Sequence, residues 1–425
     1  MVSDFCFLFL PLTPSPWYLR GAIFLVVAYV LCSQALADLP GWSFLGAATA
    51  ALLAGLLAFG QLARAWRLRL GRWVWLPVAF IAYCLLRSFS GIKDTDPFGV
   101  LISVASAFLG GIAVALAIRT GVRFRWLVYA QVASNLLQIL IVCFGLGSEP
   151  TPGEDSFRYA GMTGNANALA MQLTLGACLI WLLPKKAGVL PCVFAFGSVI
   201  FALAVTGSRK AVLVAGFFLV LVAIQSFSFL PRKRIRRRRW LILACAVPCL
   251  LGLILVPIVY YYGQDLLAIR RVMDYDDSSY ETRAQMIQQG IDLWLKSPIF
   301  GNGLDSFRSL SGQDTYSHNN YVELLCGLGL VGTLLFYAIY VNVVIRAARA
   351  RPVLKYYSWV FILMLLLADI GYVSYKSKQS IMILMVLTAL ATSRYALKQH
   401  RRAAARRASA LKPPKPRLRR FVMGT

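Results

Sequence analysis

Residues 317–345 read SHNNYVELLCGLGLVGTLLFYAIYVNVVI, a short polar stretch followed by an apolar run with a single acidic side chain. A helix needs roughly 20 consecutive apolar residues to cross a bilayer, and this run, taken as 319–345, is long enough. The sequence therefore predicts an all-α, polytopic integral membrane protein with about twelve transmembrane helices. The other eleven predicted spans are 18–36, 42–63, 73–89, 97–118, 126–145, 166–183, 188–206, 209–230, 240–262, 354–374 and 379–397.

The overall composition agrees with this class. The 425-residue chain is 59% hydrophobic and 14% charged, whereas charged residues make up about 25% of a soluble protein. The net charge of +27 could point to nucleic acid, but the basic residues fall in short clusters between apolar runs. We therefore expect no nucleic-acid partner, and we expect membrane lipids to be the charged surroundings.

The basic clusters also predict an orientation. With the N-terminus in the cytoplasm, most of the 44 basic residues lie in cytoplasmic segments, as the positive-inside rule requires. Twelve spans then place both termini in the cytoplasm. The predicted domains are a helical bundle over 1–397, a long structured loop over 263–318 within it on the outer side, and a basic, disordered tail over 398–425.

The loop 263–318 carries signals of ordered structure. Residues 278–281 (SSYE) match a capping box, so we expect a helix after Ser278. Lys296-Ser297-Pro298 ends that helix, and Phe300-Gly301-Asn302-Gly303 makes a tight turn. The loop is therefore predicted to be an ordered lid. Its helix is predicted to bury one apolar face, formed by Ile287, Ile291, Trp294 and Leu295.

Basic residues stand where outer-face helices begin, at Arg158, Arg209 and Lys210. The start of a helix carries partial positive charge and disfavours a cation, unless a bound anion reverses the balance. Arg209 is accordingly a candidate phosphate ligand, although it and Lys210 could instead extend to lipid headgroups. Arg283 shares the apolar face of the predicted loop helix and is expected to point toward the bundle. Arg270 and Arg271 are equally compatible with headgroup contact.

His318 precedes the span at 319–345, and the start of a helix favours the neutral imidazole. A neutral imidazole can act as a general base, but His318 could equally be a polar residue at the membrane interface. Asp369 is either a functional intramembrane acid or the structural partner of Lys376 or Lys378. Because the chain has only two histidines, no metal site and no cofactor are predicted.

Four segments, in this order and spacing, resemble the O-antigen ligase superfamily. They are Arg158 to Ala170 (RYAGMTGNANALA), Thr206 to Ala211 (TGSRKA), Glu281 to Phe307 (ETRAQMIQQGIDLWLKSPIFGNGLDSF) and Ser317 to Phe336 (SHNNYVELLCGLGLVGTLLF). The last segment contains His318-Asn319 followed after nine residues by Gly329-Leu330-Val331-Gly332. The resemblance covers roughly residues 155–345.

The resemblance implies a metal-independent, inverting glycosyltransferase of the GT-C type in the inner membrane of a bacterium, with a role in lipopolysaccharide biosynthesis. The active site and the loop 263–318 would then lie on the periplasmic side. Its donor would be a glycan on undecaprenyl diphosphate. By motif match, His318 corresponds to the catalytic base, and Arg209 and Arg283 to the arginines that bind the diphosphate. Arg158 is a third candidate for donor binding, and Asn319 joins that set beside His318. No role is implied for Lys210.

Several functions remain open at the level of sequence. The favoured one is an O-antigen ligase, a transferase that moves O-antigen to lipid A–core oligosaccharide. A polymerase that joins two lipid-linked glycan repeats uses the same donor and is the main alternative, and a transferase with a protein acceptor is a third. A transporter or flippase of lipid-linked sugars is the alternative from another class, but it should show internal repeats, and the sequence shows none.

Overall fold

A computed structural model describes fifteen stretches of the chain. They are residues 17–36, 44–62, 72–89, 95–146, 148–150, 157–163, 165–181, 190–206, 208, 212, 214–216, 218–219, 278–313, 315–350 and 352–392.

The described residues form a helical bundle with one small sheet. The helices are α1 (Trp17–Val30), α2 (Leu45–Leu62), α3 (Trp75–Arg87), α4 (Pro97–Thr120), α5 (Phe124–Cys143), α6 (Ala166–Trp181), α7 (Leu190–Thr206), α8 (Ser278–Lys296), α9 (Ser306–Leu310), α10 (Asn320–Ala348), α11 (Pro352–Ala368) and α12 (Lys378–Thr392). A π-helical turn, Leu31–Ala35, continues α1. Strands β1 (Ser148–Pro150) and β2 (Phe157–Tyr159) pair antiparallel between α5 and α6, and no sequence pattern predicted them.

Four of these helices are long and apolar enough to cross a membrane, namely Trp17–Ala35, Pro97–Thr120, Phe124–Cys143 and Asn320–Ala348. Six shorter apolar helices of 10–17 residues accompany them. Large apolar side chains such as Phe24, Leu86 and Leu334 are exposed on the bundle surface, as lipid contact requires. The chain is thus a membrane protein with several transmembrane helices. The predicted number of twelve stays a prediction, because most of 209–230 and all of 240–262 lie outside the described residues.

Close helix packing builds the core. Helix α12 packs along α4, and α10 packs against α3, α8, α11 and α12. Glycines allow the closest approaches. A side chain at Gly110 would overlap the ring of Tyr29, and a Cβ at Gly111 would lie 3.2 Å from the Cα of Met382. Small residues at such crossings let membrane helices gain van der Waals contact, which replaces the hydrophobic drive that lipid does not supply.

The predicted span at 354–374 is wrong at its C-terminal end. Helix α11 ends at Ala368, and residues 369–377 form turns before α12 begins at Lys378. The physical reason lies in α10, because the backbone N–H of Asn320 donates to the carbonyl of Asp369 at 2.8 Å. The side-chain oxygen of the same asparagine accepts from the N–H of Tyr375 at 3.1 Å. These tertiary hydrogen bonds hold the segment in a non-helical path beside the start of α10.

Candidate active site

The start of α10 fixes the position of His318. The side-chain oxygen of Asn319 caps the helix by accepting from the N–H groups of Tyr321 and Val322 at 3.0 and 3.2 Å. His318 precedes this cap with φ 55, in the left-handed region. Left-handed backbone in a residue other than glycine is uncommon, although histidine is among the residue types enriched there. Such strain often accompanies a functional site.

Glu323 holds the turn that carries His318. Its carboxylate accepts from both the backbone N–H and the hydroxyl of Ser317, at 2.8 and 2.7 Å, and the side chain is buried. The structure gives the capping role to Asn319 and ties Glu323 to Ser317. A buried carboxylate with two short hydrogen bonds makes this turn rigid.

A cavity of about 240 Å³ lies beside this turn. Arg283 of α8 and His318 both line it, and both are partly buried. Asn319 also reaches its wall. The remaining wall is largely apolar and is formed by Val214, Ala284, Ile287, Leu367, Ala368 and Ile370, with Gly371 and Ser317. The fold therefore brings together a cation, an imidazole and an apolar surface.

Helix α8 presents Arg283 to this cavity because of the way it packs. Its buried positions are Met286, Gly290 and Leu293, so the face with Arg283 turns inward as expected. At Gly290 the helix touches α10 so closely that a Cβ there would overlap Val322. The predicted apolar face was wrong in one member, since Leu295 is 62% exposed. Gly290 shifts the buried face, because the missing side chain lets Val322 of α10 pack directly on the backbone of α8.

The glycine turn after α8 docks on a kink in α10. Gly329 has φ 64 and ψ −166 inside α10, which breaks the helical hydrogen-bond pattern. The freed groups pair with the turn: the N–H of Gly303 donates to the carbonyl of Gly327 at 2.8 Å, and the N–H of Leu330 donates to the carbonyl of Pro298 at 2.9 Å. Gly301 and Gly329 meet backbone to backbone, with no room for a side chain on either. Gly301 and Gly329, which belong to two separate sequence motifs, therefore form a single contact in the fold.

Helix α3 supports the same turn with two side chains that sequence reasoning missed. Arg87 donates from Nη2 to the carbonyl of Gly301 at 2.8 Å. The hydroxyl of Tyr83 reaches the carbonyls of Phe300 and Leu328 at 3.1 and 2.9 Å. Nothing in the local sequence marks either residue, because each is defined by a contact more than 200 positions away.

Tyr316 is a further neighbour of His318 that the sequence did not single out. The two rings lie with centroids 4.3 Å apart, and the ammonium of Lys376 lies 5.1 Å from the centroid of the tyrosine ring. Burial raises the pKa of Tyr316 to about 12, with the negative charge of Glu323 adding to the shift and Arg283 opposing it. Tyr316 is therefore a neutral hydrogen-bonding group at physiological pH.

Asp369 belongs to a buried hydrogen-bond network that has a structural role. It is fully buried, and its carboxylate accepts from the hydroxyl of Tyr337 at 2.9 Å and from the side chain of Asn320 at 3.3 Å. These are its hydrogen-bond partners, in place of the lysine that the sequence offered as its neighbour. The network pins the end of α11 to the start of α10, on the side of the cavity formed by Leu367 to Gly371.

Other predicted site residues are placed in part or not at all. The backbone of Arg158 pairs with Glu149 in the β1–β2 ladder. Arg209, Lys210, Arg270 and Arg271 lie outside the described residues. The structure therefore brings His318, Arg283 and Asn319 to one cavity and leaves the positions of Arg158 and Arg209 relative to it as a prediction.

Comparison with known proteins identifies the region that contains this cavity. Residues 194–337 match the model of a family described as O-antigen ligase. No curated protein sequence matches the chain. The matched residues run from α7 to the middle of α10 and include Arg283 and His318. Residues 194–337, which contain both Arg283 and His318, are therefore similar to the O-antigen ligase family.

Proposed function

We propose that the protein is an O-antigen ligase of the GT-C type, which transfers a glycan from undecaprenyl diphosphate to lipid A–core oligosaccharide. The observation that carries this proposal is the shared cavity of Arg283 and His318, within the residues that match the family. Its apolar wall suits the first isoprene units of the donor. The proposed location is the periplasmic face of the bacterial inner membrane, with both termini in the cytoplasm, because of the distribution of basic residues.

His318 is the proposed general base. At the positive end of α10 the neutral imidazole is favoured, and such an imidazole can take a proton near neutral pH. In the proposed reaction His318 removes the proton from an acceptor hydroxyl. The oxygen attacks the anomeric carbon of the donor sugar, and the bond from that carbon to the diphosphate oxygen breaks. One displacement of this kind inverts the anomeric centre.

The leaving diphosphate needs positive charge and hydrogen-bond donors. Arg283 supplies both from α8, since a guanidinium binds phosphate oxygens in a bidentate manner. Arg209 and Arg158 are the further arginines proposed for donor binding. Donors aimed at the charge that develops in the transition state typically contribute about 10²–10³ in rate. No metal ion or cofactor takes part in this scheme.

The test is transfer in vitro by purified protein in lipid nanodiscs, with an undecaprenyl-diphosphate glycan as donor and lipid A–core as acceptor. His318→Ala should lower kcat by about 10²–10⁴. Arg283→Lys should lower transfer at least about tenfold, because lysine keeps the charge and loses the bidentate geometry. Arg308→Lys is the matched control, since Arg308 is exposed on α9. Full transfer by His318→Ala with intact folding would refute the base assignment.

The same assay separates the alternatives. Product on a second lipid-linked repeat, with none on lipid A–core, would make the protein a polymerase. Product on a peptide would indicate a protein acceptor. Movement of intact donor across the membrane of proteoliposomes made from the same lipids, without transfer, would indicate a flippase. Loss of activity on addition of EDTA, restored by a divalent metal, would contradict the metal-independent scheme.

A further inference from the structure

A second and larger cavity lies on the other side of Tyr316 and His318. Its volume is about 430 Å³, within the range of small-molecule sites. Tyr316 lines it, whereas the adjacent Ser317 and His318 line the first cavity. The two cavities therefore share the segment 316–318 as a wall. The mechanism proposed above makes no use of the second one.

The lining of the second cavity is about half polar, whereas that of the first is largely apolar. Side-chain amides come from the end of α1, from α6 and from α12, and hydroxyl groups come from the π-helical turn, from α4 and from the turns before α6 and α12. The rings of Tyr316 and Tyr372 complete the wall. Amides and hydroxyls that both donate and accept, together with aromatic faces, match the hydroxyl groups and C–H faces of a sugar.

Gln34 is the side chain in this lining that most clearly needs a ligand. It is 3% exposed, and neither its amide nitrogen nor its amide oxygen has a hydrogen-bond partner. A buried amide without partners is costly to the fold, and its presence calls for a group that both donates and accepts. The π-helical turn Leu31–Ala35 carries it, and such turns occur frequently at functional sites.

The position of Gln34 is fixed from behind. The amide nitrogen of Gln138 on α5 donates to the backbone carbonyls of Gln34 and Ala35, at 3.1 and 3.2 Å. These carbonyls lie at the C-terminal end of the π-helical turn, where the last carbonyls of a helix have no helical partner. Gln34 therefore lines the cavity from a backbone that α5 holds in place.

Two lysines give this cavity a positive charge. Lys376 and Lys378 both line it. Lys376 lies over the ring of Tyr316 and interacts with the buried carboxylate of Glu323, which offsets its charge. Lys378 begins α12, with its ammonium against Gly46. The lining that the structure describes holds these two lysines and no acidic side chain, which favours a negative group on the ligand.

We propose that this second cavity binds a sugar that carries an acidic group, such as a uronic acid or a phosphorylated sugar. Gln34 bonds its hydroxyl groups, and Lys378 with Lys376 binds its carboxylate or phosphate. Within the proposed transferase function, on which this assignment of a role rests, the sugar belongs to one of the two reacting glycans, and the shared wall delivers it to His318. The binding itself does not depend on transfer.

The test is saturation-transfer-difference NMR on the full-length protein in detergent, with glucuronate and glucose as observed ligands and inorganic phosphate as a competitor of the glucuronate signal. The wild type should bind glucuronate at least about fivefold more tightly than glucose. Lys378→Gln should bring that ratio close to one, with Lys355→Gln, exposed on α11, as the matched control. Gln34→Leu should weaken both sugars by about fivefold, the loss of about one net hydrogen bond.

The pattern of glucuronate binding across the variants tests the second cavity independently of the proposed transferase function. Glucuronate binding that persists in His318→Ala and falls in Lys378→Gln supports the site even if no transfer is found. Unchanged glucuronate binding in both Gln34→Leu and Lys378→Gln, with melting temperatures near the wild type, overturns it. Phosphate that binds as well as glucuronate also overturns it, because the cavity would then select an anion and not a sugar.

If transfer is active, KM identifies the source of the sugar. Lys378→Gln should raise KM for one substrate at least about fivefold with little change in kcat, a split that a general loss of folding would not give. A rise for lipid A–core places the acidic sugar on the acceptor, and a rise for the lipid-linked glycan places it on the donor. An equal fall in kcat with both KM values unchanged would contradict a binding role.

Discussion

Replacing Gly329 by alanine should loosen the docking between the glycine turn and α10. Gly329 has φ 64 and ψ −166, a combination that is essentially restricted to glycine and costs another residue about 1–3 kcal/mol. The new Cβ would also lie 2.5 Å from the carbonyl oxygen of Ile299, whereas ordinary contacts lie at 3.4–4 Å. Overpacking of this kind typically costs about 1–3 kcal/mol. The sum, about 2–6 kcal/mol, is a large part of the stability of a typical protein.

The assay is thermal unfolding of the purified protein in one detergent, followed by tryptophan fluorescence. Gly197→Ala is the matched control, because Gly197 lies inside α7 with no other atom within 4 Å of its would-be Cβ. Alanine there should be neutral or stabilising, by up to about 1 kcal/mol. Gly329→Ala should lower the melting temperature by at least about 2 °C, because in a chain of this length about 1 kcal/mol corresponds to about 1 °C. Equal melting temperatures for the two variants would refute the close-contact reasoning.

A double variant sharpens this test. Gly301 and Gly329 form the same contact, and a Cβ on Gly301 would lie 2.5 Å from the carbonyl oxygen of Gly327. Once one alanine has pushed the turn away from α10, the second should meet less resistance. The two destabilisations should therefore sum to more than that of the double variant, with a coupling of about 0.5–3 kcal/mol. Strict additivity would mean that the two glycines act independently.

Three further outcomes are expected. Glu323→Ala should lower transfer by about 10-fold or more, because it releases the turn that carries His318. Glu323→Gln should keep most of the activity, since an amide oxygen can still accept from Ser317. Equal loss in both variants would contradict a hydrogen-bonding role. Arg87→Lys should lower the melting temperature by about 1 °C, the equivalent of about 1 kcal/mol in a chain of this length, by losing the bond to the glycine turn. No change would show that the turn does not depend on this bond. Because the pKa of Tyr316 is raised to about 12, its neutral form stabilises the fold below pH 10, and this contribution is lost as the pH rises from 10 to 12. The melting temperature of Tyr316→Phe should therefore fall less steeply over that range than the melting temperature of the wild type.

Sequence reasoning located the helices well and their ends less well. The apolar runs matched the described helices because a membrane requires long apolar segments whatever the fold. The end of α11 was missed, since the hydrogen bonds between Asn320 and Asp369 that stop it are tertiary. The short β1–β2 ladder was missed for a similar reason, because three-residue strands leave no periodic pattern.

The candidate site was predicted in the same uneven way. His318 and Arg283 could be named because helix starts, an amphipathic pattern and short motifs mark them locally. Tyr316, Arg87 and Gln34 could not be named. Each is an ordinary residue in its own stretch of sequence, and each gains its role from a partner, or from the absence of one, in a distant part of the chain.

The sequence by itself determined that this chain belongs in a membrane and which parts of it are helical, and it predicted that a histidine and several arginines form a site for an anionic substrate. Only the tertiary structure decided which of these residues meet. It joined Gly301 to Gly329, turned Arg283 toward His318, and placed a polar cavity beside an apolar one on the two sides of the segment 316–318. Composition and spacing report the solvent that a segment prefers, whereas a binding site depends on contacts between segments that only the packed chain brings together.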